Sequence, residues 1–265
     1  MDTAAKEKVE LEADFQAALK HDGVTLNYQP IVSAATQEIV SVEALARWVH
    51  PTRGRIAPDT FIPIAEEAGL IEELGRRVLE RACADARGWD PGIAVSVNIS
   101  PHQFESETIV PFVKQALERT GLPPHRLHLE VTERVVIKNV ECVFKQLAEL
   151  RALGVSILID DFGVGHSSLC YFNDFPFDKV KIDKTFIFEL DRSRAARAII
   201  EAVTTLSRNL SIGVVAEGVE TLEQQALLTK LGCTHLQGHL FSRAVPAEEI
   251  KRMQRLAPGS AALPA

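Results

Sequence analysis

Apolar positions along the chain recur with two different periods, and the two alternate. Leu11, Phe15 and Leu19 return every four residues among Glu and Lys, which predicts an amphipathic helix over residues 6–20. Two strand-like segments follow, 24–32 and 38–48, joined by a short polar stretch at 34–37. They predict an antiparallel hairpin. Beyond them the pattern becomes strand then helix, repeated. Strands are predicted at 93–98, 127–131, 155–160, 179–182, 212–216 and 234–237. Helices are predicted at about 66–87, 111–120, 139–153, 194–209, 221–231 and 247–256. Gly121 and Gly154 end two of these helices, because glycine takes the left-handed conformation that closes a helix.

Eight strands with helices between the later ones fit an α/β fold, a (β/α)8 TIM-like barrel. The opening hairpin departs from a regular all-parallel barrel. A doubly wound open sheet is the alternative, but no GxGxxG follows a first strand to support it. The expected organisation is a linker helix at 1–22, a barrel at 23–256 and a loose tail of small residues and prolines at 257–265.

Composition narrows the function. Hydrophobic residues make up 46% of the 265, enough for a large core and too many for disorder. The formal charge of −7 argues against a surface for nucleic-acid polymers, which need a cationic footprint. A small anion remains possible where metals or local Arg and Lys offset the acids. The four cysteines, Cys83, Cys142, Cys170 and Cys233, form no CxxC pair and read as thiols in a reducing compartment. No apolar run approaches the ~20 residues of a membrane span, and residues 1–10 lack a signal-peptide core. A cytoplasmic domain without membrane contact is therefore expected, within a parent protein that could itself be membrane-attached.

The chemistry is positional. Successive apolar strands end on a polar group: Asn98, Glu130, Asp160 with Asp161, Asp183, Glu217 and Gln237. One charge at a strand end is ordinarily a solvated cap. Six in series suggest the mouth of a barrel, where the C-terminal strand ends converge on an active site. The second predicted strand adds Glu43, Leu45 and Arg47 on one face, with Val42, Ala44 and Ala46 on the other. Glu43, Glu130, Asp160, Asp161 and Glu217 would gather five negative charges, and Lys181 offsets one. Like charges in a cleft protonate unless cations balance them. Two divalent ions would do so, and the oxygen-rich set with Asn98 favours Mg²⁺ or Mn²⁺ over zinc. A pair of such ions suits in-line displacement at phosphorus. Other chemistries lack their signatures: there is no HExxH, no G-x-S-x-G around Ser167 and Ser168, and no P-loop in the glycine-rich run from Asp161.

These residues resemble the EAL domain family, the cyclic di-GMP phosphodiesterase module of bacteria. The match runs from about Tyr28 to Ile250. It includes Tyr28-Gln29-Pro30-Ile31-Val32, Glu43-Ala44-Leu45, Phe61-Ile62-Pro63-Ile64-Ala65-Glu66-Glu67, Asn98-Ile99-Ser100-Pro101-His102-Gln103 and Glu130-Val131-Thr132-Glu133. Asp160-Asp161-Phe162-Gly163, Lys181-Ile182-Asp183, Glu217-Gly218-Val219-Glu220 and Gln237-Gly238 follow in family order. The resemblance implies a barrel whose first strand is antiparallel, which accounts for the hairpin. It implies hydrolysis of cyclic di-GMP to linear pGpG by two-metal-activated water. Glu43, Asn98, Glu130 and Asp160 would hold one cation, and Asp160, Asp161 and Glu217 the other. Lys181, with Glu43 and Glu217, would be catalytic, Lys181 orienting the attacking water. Gln29, Leu45, Arg47, Gln103, Asp183, Glu220, Gln237 and Phe241 would contact substrate or its supports, and Glu133 would anchor the loop 161–169. A homodimer and an upstream sensory or GGDEF domain are also implied.

Several positions depart from the family pattern: Ala46, Val164, His166, His239 and Ala244. None is a metal ligand, but Val164 and His166 sit in a loop tied to regulation and dimer contacts. Degenerate members of the family act as cyclic di-GMP receptors, and a pure interaction module is a third possibility. The intact acid set with Lys181 favours the enzyme.

Overall fold

The structure, a computed structural model, describes residues 3–21, 23–133, 135, 140–163 and 177–255. Val164, His166, Cys170 and the tail lie outside the described residues. After helix α1 (Thr3–Lys20), strands β1 (Val24–Ser33), β2 (Ile39–His50) and β3 (Gly54–Ile56) lead to helices α2 (Pro58–Glu67) and α3 (Ile71–Arg87). Then come β4 (Ala94–Ile99), α4 (Pro101–Glu105), α5 (Ile109–Thr120), β5 (Leu127–Thr132), α6 (Val140–Ala152), β6 (Ser156–Phe162) and β7 (Lys179–Ile182). The chain continues with α7 (Lys184–Phe188), α8 (Arg194–Asn209), β8 (Gly213–Ala216), α9 (Leu222–Leu231), β9 (His235–Gln237) and α10 (Ala247–Arg255).

The strands pair in the order β1-β9-β8-β7-β6-β5-β4-β2, and β1 pairs β2 to close an eight-strand barrel. β1 runs antiparallel to both neighbours, while the rest of the barrel pairs in parallel. The predicted (β/α)8 barrel with an antiparallel first strand is thus observed. β3 is an addition, a short return strand on the end of β2.

Strand alternation divides the residues cleanly. Outward positions such as Val42, Val95, Val97, Leu127, Leu129, Val180 and Val214 are buried with the helices in the main apolar core. Inward positions are unusually polar: Ser41, Ser96, His128, Glu130, Lys181 and Gln237 are all buried. The fold is therefore held by the shell between strands and helices, which leaves the barrel interior available for chemistry.

Where a single helix is predicted over 66–87, the chain makes two, because Gly69 takes a left-handed φ of 68° and breaks the run. The five-residue helix α4 is too short to show a period. Its cue is a capping box, Ser100 with Gln103, in which each side chain meets the other's backbone N–H. The N-terminal helix seats its apolar stripe on β2 and α2. Phe15 stacks on Phe61 at 5.3 Å and meets Trp48 edge-on at 4.9 Å. Asp14 accepts from His50 at 3.0 Å, with His50 Nδ1 accepting the backbone N–H groups of Thr52 and Arg53. Leu11, Phe15 and Leu19 are thus buried in one cluster with Trp48, Phe61, Ile64 and Leu74. Among the described residues, no helix is long and apolar enough to cross a membrane.

The deeper interior carries a pH liability. Burial, with lesser contributions from Lys179 and His235, pushes His128 down to about 3. The unfolded chain takes up that proton at ~6.5, so stability is full above pH ~6.5 and declines as pH falls toward 3, by about 1.4 kcal/mol per pH unit for this group. Urea midpoints should fall between pH 6.5 and 4, and His128→Leu should decline less steeply over that window. Parallel declines would show that another group is responsible.

Candidate active site

Seven strands, β2 and β4 to β9, supply the mouth, β6 through a bulge. Lys181 projects inward from β7, 1% exposed, and its ammonium stands among four carboxylates from four other strands or strand ends. The Nζ distances are 2.5 Å to Glu217, 2.7 Å to Glu130, 3.3 Å to Asp160 and 3.5 Å to Glu43. Amides fix Glu43 from both sides: Asn98 Nδ2 donates to Oε1 and Gln237 Nε2 to Oε2, each at 2.7 Å. Gln237 also donates to Gln29 at 3.3 Å.

A regular strand would send Asp160 and Asp161 to opposite faces. The pairing of β6 with β7 instead slips between Ile159 and Phe162, leaving two aspartates opposite the single position of Lys181. Asp161 takes a left-handed φ of 54°, a conformation that Asp tolerates better than most residues. The turns after β8 and β9 need glycine. Gly218 has φ 72°, and a Cβ there would come within 2.6 Å of the Lys184 Cβ. A Cβ on Gly238 would lie 2.1 Å from the Val219 carbonyl oxygen.

The cluster carries more acid than one lysine can balance. Burial is the largest influence on each member. At Glu43 it is outweighed by Lys181 and the two amides, and the carboxyl falls below its usual value. At Glu130 burial wins, aided by Glu43 and Asp160 against Lys181, and the group is held well up. Glu217 is pushed up to about 8 in the same way. Asp161 is raised by burial, then by Asp160 and Asp183. Burial opposes the charge on Lys181, but the surrounding acids raise it well above its usual range, so it is held as an ammonium.

The donor set fits a hard cation. It is all oxygen, and Glu130 Oε1 is buried with no hydrogen-bond partner among the described residues. Asn98 spends its NH₂ on Glu43, which leaves its carbonyl oxygen as a donor. Among the described residues, no three acids already converge on one point as ligands do. They turn toward the Lys181 ammonium instead.

Above the cluster lies a cavity of about 340 Å³. Of the predicted residues, Gln29, Glu43, Leu45, Asp160, Lys181, Glu217, Glu220 and Gln237 line it. Asn98 and Glu130 reach it through Glu43 and Lys181. Three of the expected substrate contacts have other partners. Gln103 is 2% exposed, caps α4 and packs on Gly75, away from the cavity. Asp183 caps α7, accepting from the Thr185 N–H at 2.9 Å. Phe241 packs against the main core. Arg47 stands half-buried further along β2. Glu133 is buried with neither carboxylate oxygen bonded among the described residues, and most of the loop it was expected to anchor lies outside them.

Lys184, Phe188 and His239 also line the cavity and were not anticipated. They come from segments just past the strand ends, where spacing carries no signal. The strand-end rule finds them only if extended a few residues into each following loop.

A family model described as EAL domain matches residues 12–244. The chain is 46% identical over 250 residues to an uncharacterized signaling protein of Caulobacter vibrioides, covering 94% of this chain and 31% of the relative. It is 44% identical over 254 residues to MucR of Pseudomonas aeruginosa, named a bifunctional diguanylate cyclase/cyclic di-GMP phosphodiesterase, covering 94% of this chain and 37% of that protein. The chain thus spans about a third of the length of these relatives. Among solved structures, the PaMucR phosphodiesterase in its c-di-GMP complex superimposes with a TM-score of 0.87 at 43% identity, covering 91% of this chain and 99% of that one. The EAL enzyme Bd1971, in its cAMP and cyclic-di-GMP bound form, gives 0.91 at 30% identity, covering 96% and 70%. Fold, mouth and sequence agree, and this chain belongs to the EAL domain family.

Proposed function

We propose that this domain hydrolyses cyclic di-GMP to linear pGpG in a divalent-cation-dependent reaction. The observation that carries the reading is the buried Lys181 ammonium within 3.5 Å of four carboxylates at the barrel mouth. A structural role alone does not explain it, since a buried excess of acid is costly unless something compensates it. A MucR phosphodiesterase structure with c-di-GMP bound, 43% identical, supports the choice of substrate.

Glu43, Asn98, Glu130 and Asp160 would hold one cation, and Asp160, Asp161 and Glu217 a second. Bound there, the cations supply positive charge to the phosphoryl oxygen and acidify the attacking water. Asn98 and Gln237 keep Glu43 ionised and aimed, so its geometry is set before substrate arrives. Lys181 stays protonated and donates, which suits it to orient water and steady developing charge better than to act as a general base. Leu45 and Gln29 give the cavity an apolar wall beside an amide, suited to a nucleotide.

Chromatography of cyclic di-GMP incubated with the protein and Mg²⁺ tests the proposal. Accumulation of pGpG, abolished by EDTA, is expected. Intact cyclic di-GMP that is nonetheless bound would mark a receptor, and no binding with metal present would leave an interaction module.

Cation binding should also release protons. Glu217, held up to about 8, is largely protonated at pH 7 and must lose that proton to act as a ligand, and burial shifts Glu130 in the same direction. Affinity for Mn²⁺ should therefore rise with pH between 6 and 8. Calorimetry in buffers of different ionisation heat should record proton release at pH 7. Equal heats in all buffers would rule it out.

A further inference from the structure

Beyond the mouth stand two arginines, Arg47 and Arg55, that have no acidic partner among the described residues. Side chains alternate along β2: Val42, Ala44 and Trp48 are buried on the outer side, while Glu43 and Leu45 line the cavity. Arg47 and Val49 continue that inner side past the rim. β3 returns alongside, pairing Val49 with Arg55 and Trp48 with Ile56. Ile56 packs with Trp48 in the outer cluster, so Arg55 shares the inner side with Val49 and Arg47. As a diagonal cross-strand neighbour, it lies about 7–8 Å from Arg47 between backbones and somewhat less between Cβ atoms.

Neither arginine has a carboxylate within ion-pair distance among the described residues. Arg53, on the same hairpin, pairs with Glu10 at 3.2 Å, and Arg76, Arg81 and Arg119 are paired as well. The one hydrogen bond of the Arg47 side chain among the described residues goes to the Ala46 carbonyl at 3.0 Å. Burial and then the charge of Arg55 lower the Arg47 guanidinium below its usual range, which fits two cations held close together. Val49, 58% exposed, lies between them. Unpaired like charges beside an acidic cavity are complementary to an anion that extends out of it.

We propose that Arg55 is a second cationic binding residue for the substrate. With Arg47 it would bind the phosphodiester that is not being cut, while the scissile one lies over the carboxylate cluster. This rests on the cyclic di-GMP reading above. Arg55 sits outside the strand-end residues that would carry the chemistry, so its contribution is to binding and to the discrimination of a doubly anionic ring from a singly charged ester.

The test is steady-state kinetics of Arg55→Ala, Arg55→Lys and Arg55→Glu on cyclic di-GMP with Mg²⁺, at several KCl concentrations. Expected are a KM raised about three- to fivefold in Arg55→Ala with kcat unchanged, a larger rise in Arg55→Glu, and partial recovery in Arg55→Lys. The KM of Arg55→Ala should also depend less steeply on KCl than that of the wild type, which a purely structural defect would not produce. Unchanged KM in both Arg55→Ala and Arg55→Glu would overturn the proposal, as would a loss confined to kcat. If the wild type shows no turnover, the hydrolytic reading fails separately. The Kd for cyclic di-GMP by calorimetry then replaces KM, with the same ordering supporting Arg55 and equal values overturning it.

Discussion

Lys181→Met should abolish turnover and destabilise the metal-free protein, and Mg²⁺ should repair only the second defect. The wild-type ammonium compensates four carboxylates within 3.5 Å in a site where it is 1% exposed. Removing one partner of a buried charge network costs about 3–5 kcal/mol, because the remaining charges are left without compensation. Here the acids soften the loss by taking up protons, as Glu130 and Glu217 already tend to do. The expected result is a lower melting temperature in EDTA, largest at high pH where those protons are given up. A cation that binds the folded state stabilises it, and with no ammonium competing for the same oxygens, Mg²⁺ should raise the midpoint more in the variant than in the wild type. Turnover should stay at least ~100-fold down even with Mg²⁺ saturating, because the donor proposed to orient water is gone. Equal melting temperatures in EDTA would mean that Lys181 does not hold the cluster together. Full activity would remove it from the reaction.

Glu43→Gln should act chiefly on the metal site, with a modest loss of stability and a large loss of metal affinity and rate. Both carboxylate oxygens accept amide N–H groups, from Asn98 and Gln237 at 2.7 Å. A glutamine there would set its own NH₂ against one of those donors and remove a ligand charge. Groups that merely orient metal ligands cost about 10–100-fold in affinity or activity when replaced, so loss of a ligand should cost more than ~100-fold. Mn²⁺ titration calorimetry with kcat measured in parallel checks this. Unchanged Mn²⁺ affinity would place the cation elsewhere.

Much of this site was legible in the sequence because barrels impose a simple rule. Apolar strands that end on Asn98, Glu130, Asp160, Glu217 and Gln237 must deliver those groups to one rim, and the structure brings them there. The antiparallel β1 followed from the opening hairpin together with the family resemblance. Period alone could not reveal the bulge at Asp160–Asp161, since alternation predicts opposite faces for neighbours and only pairing with β7 shows the slip. Gln103 and Asp183 illustrate a second limit. Each accepts a nearby backbone N–H at the start of a short helix that has too few residues to show a period, a local role that spacing does not reveal. Arg55 was missed for another reason: β3 has three residues, and only its register against β2 places that side chain on the inner face.

Diffraction from crystals grown with Mn²⁺, collected at the manganese absorption edge, addresses the carboxylate cluster most directly. Two anomalous peaks are predicted at the barrel mouth, the first within ligand distance of Glu43, Asn98, Glu130 and Asp160, the second beside Asp160, Asp161 and Glu217. A mouth without anomalous signal, with Lys181 still gripping Glu130 and Glu217, would contradict a metal-dependent phosphodiesterase.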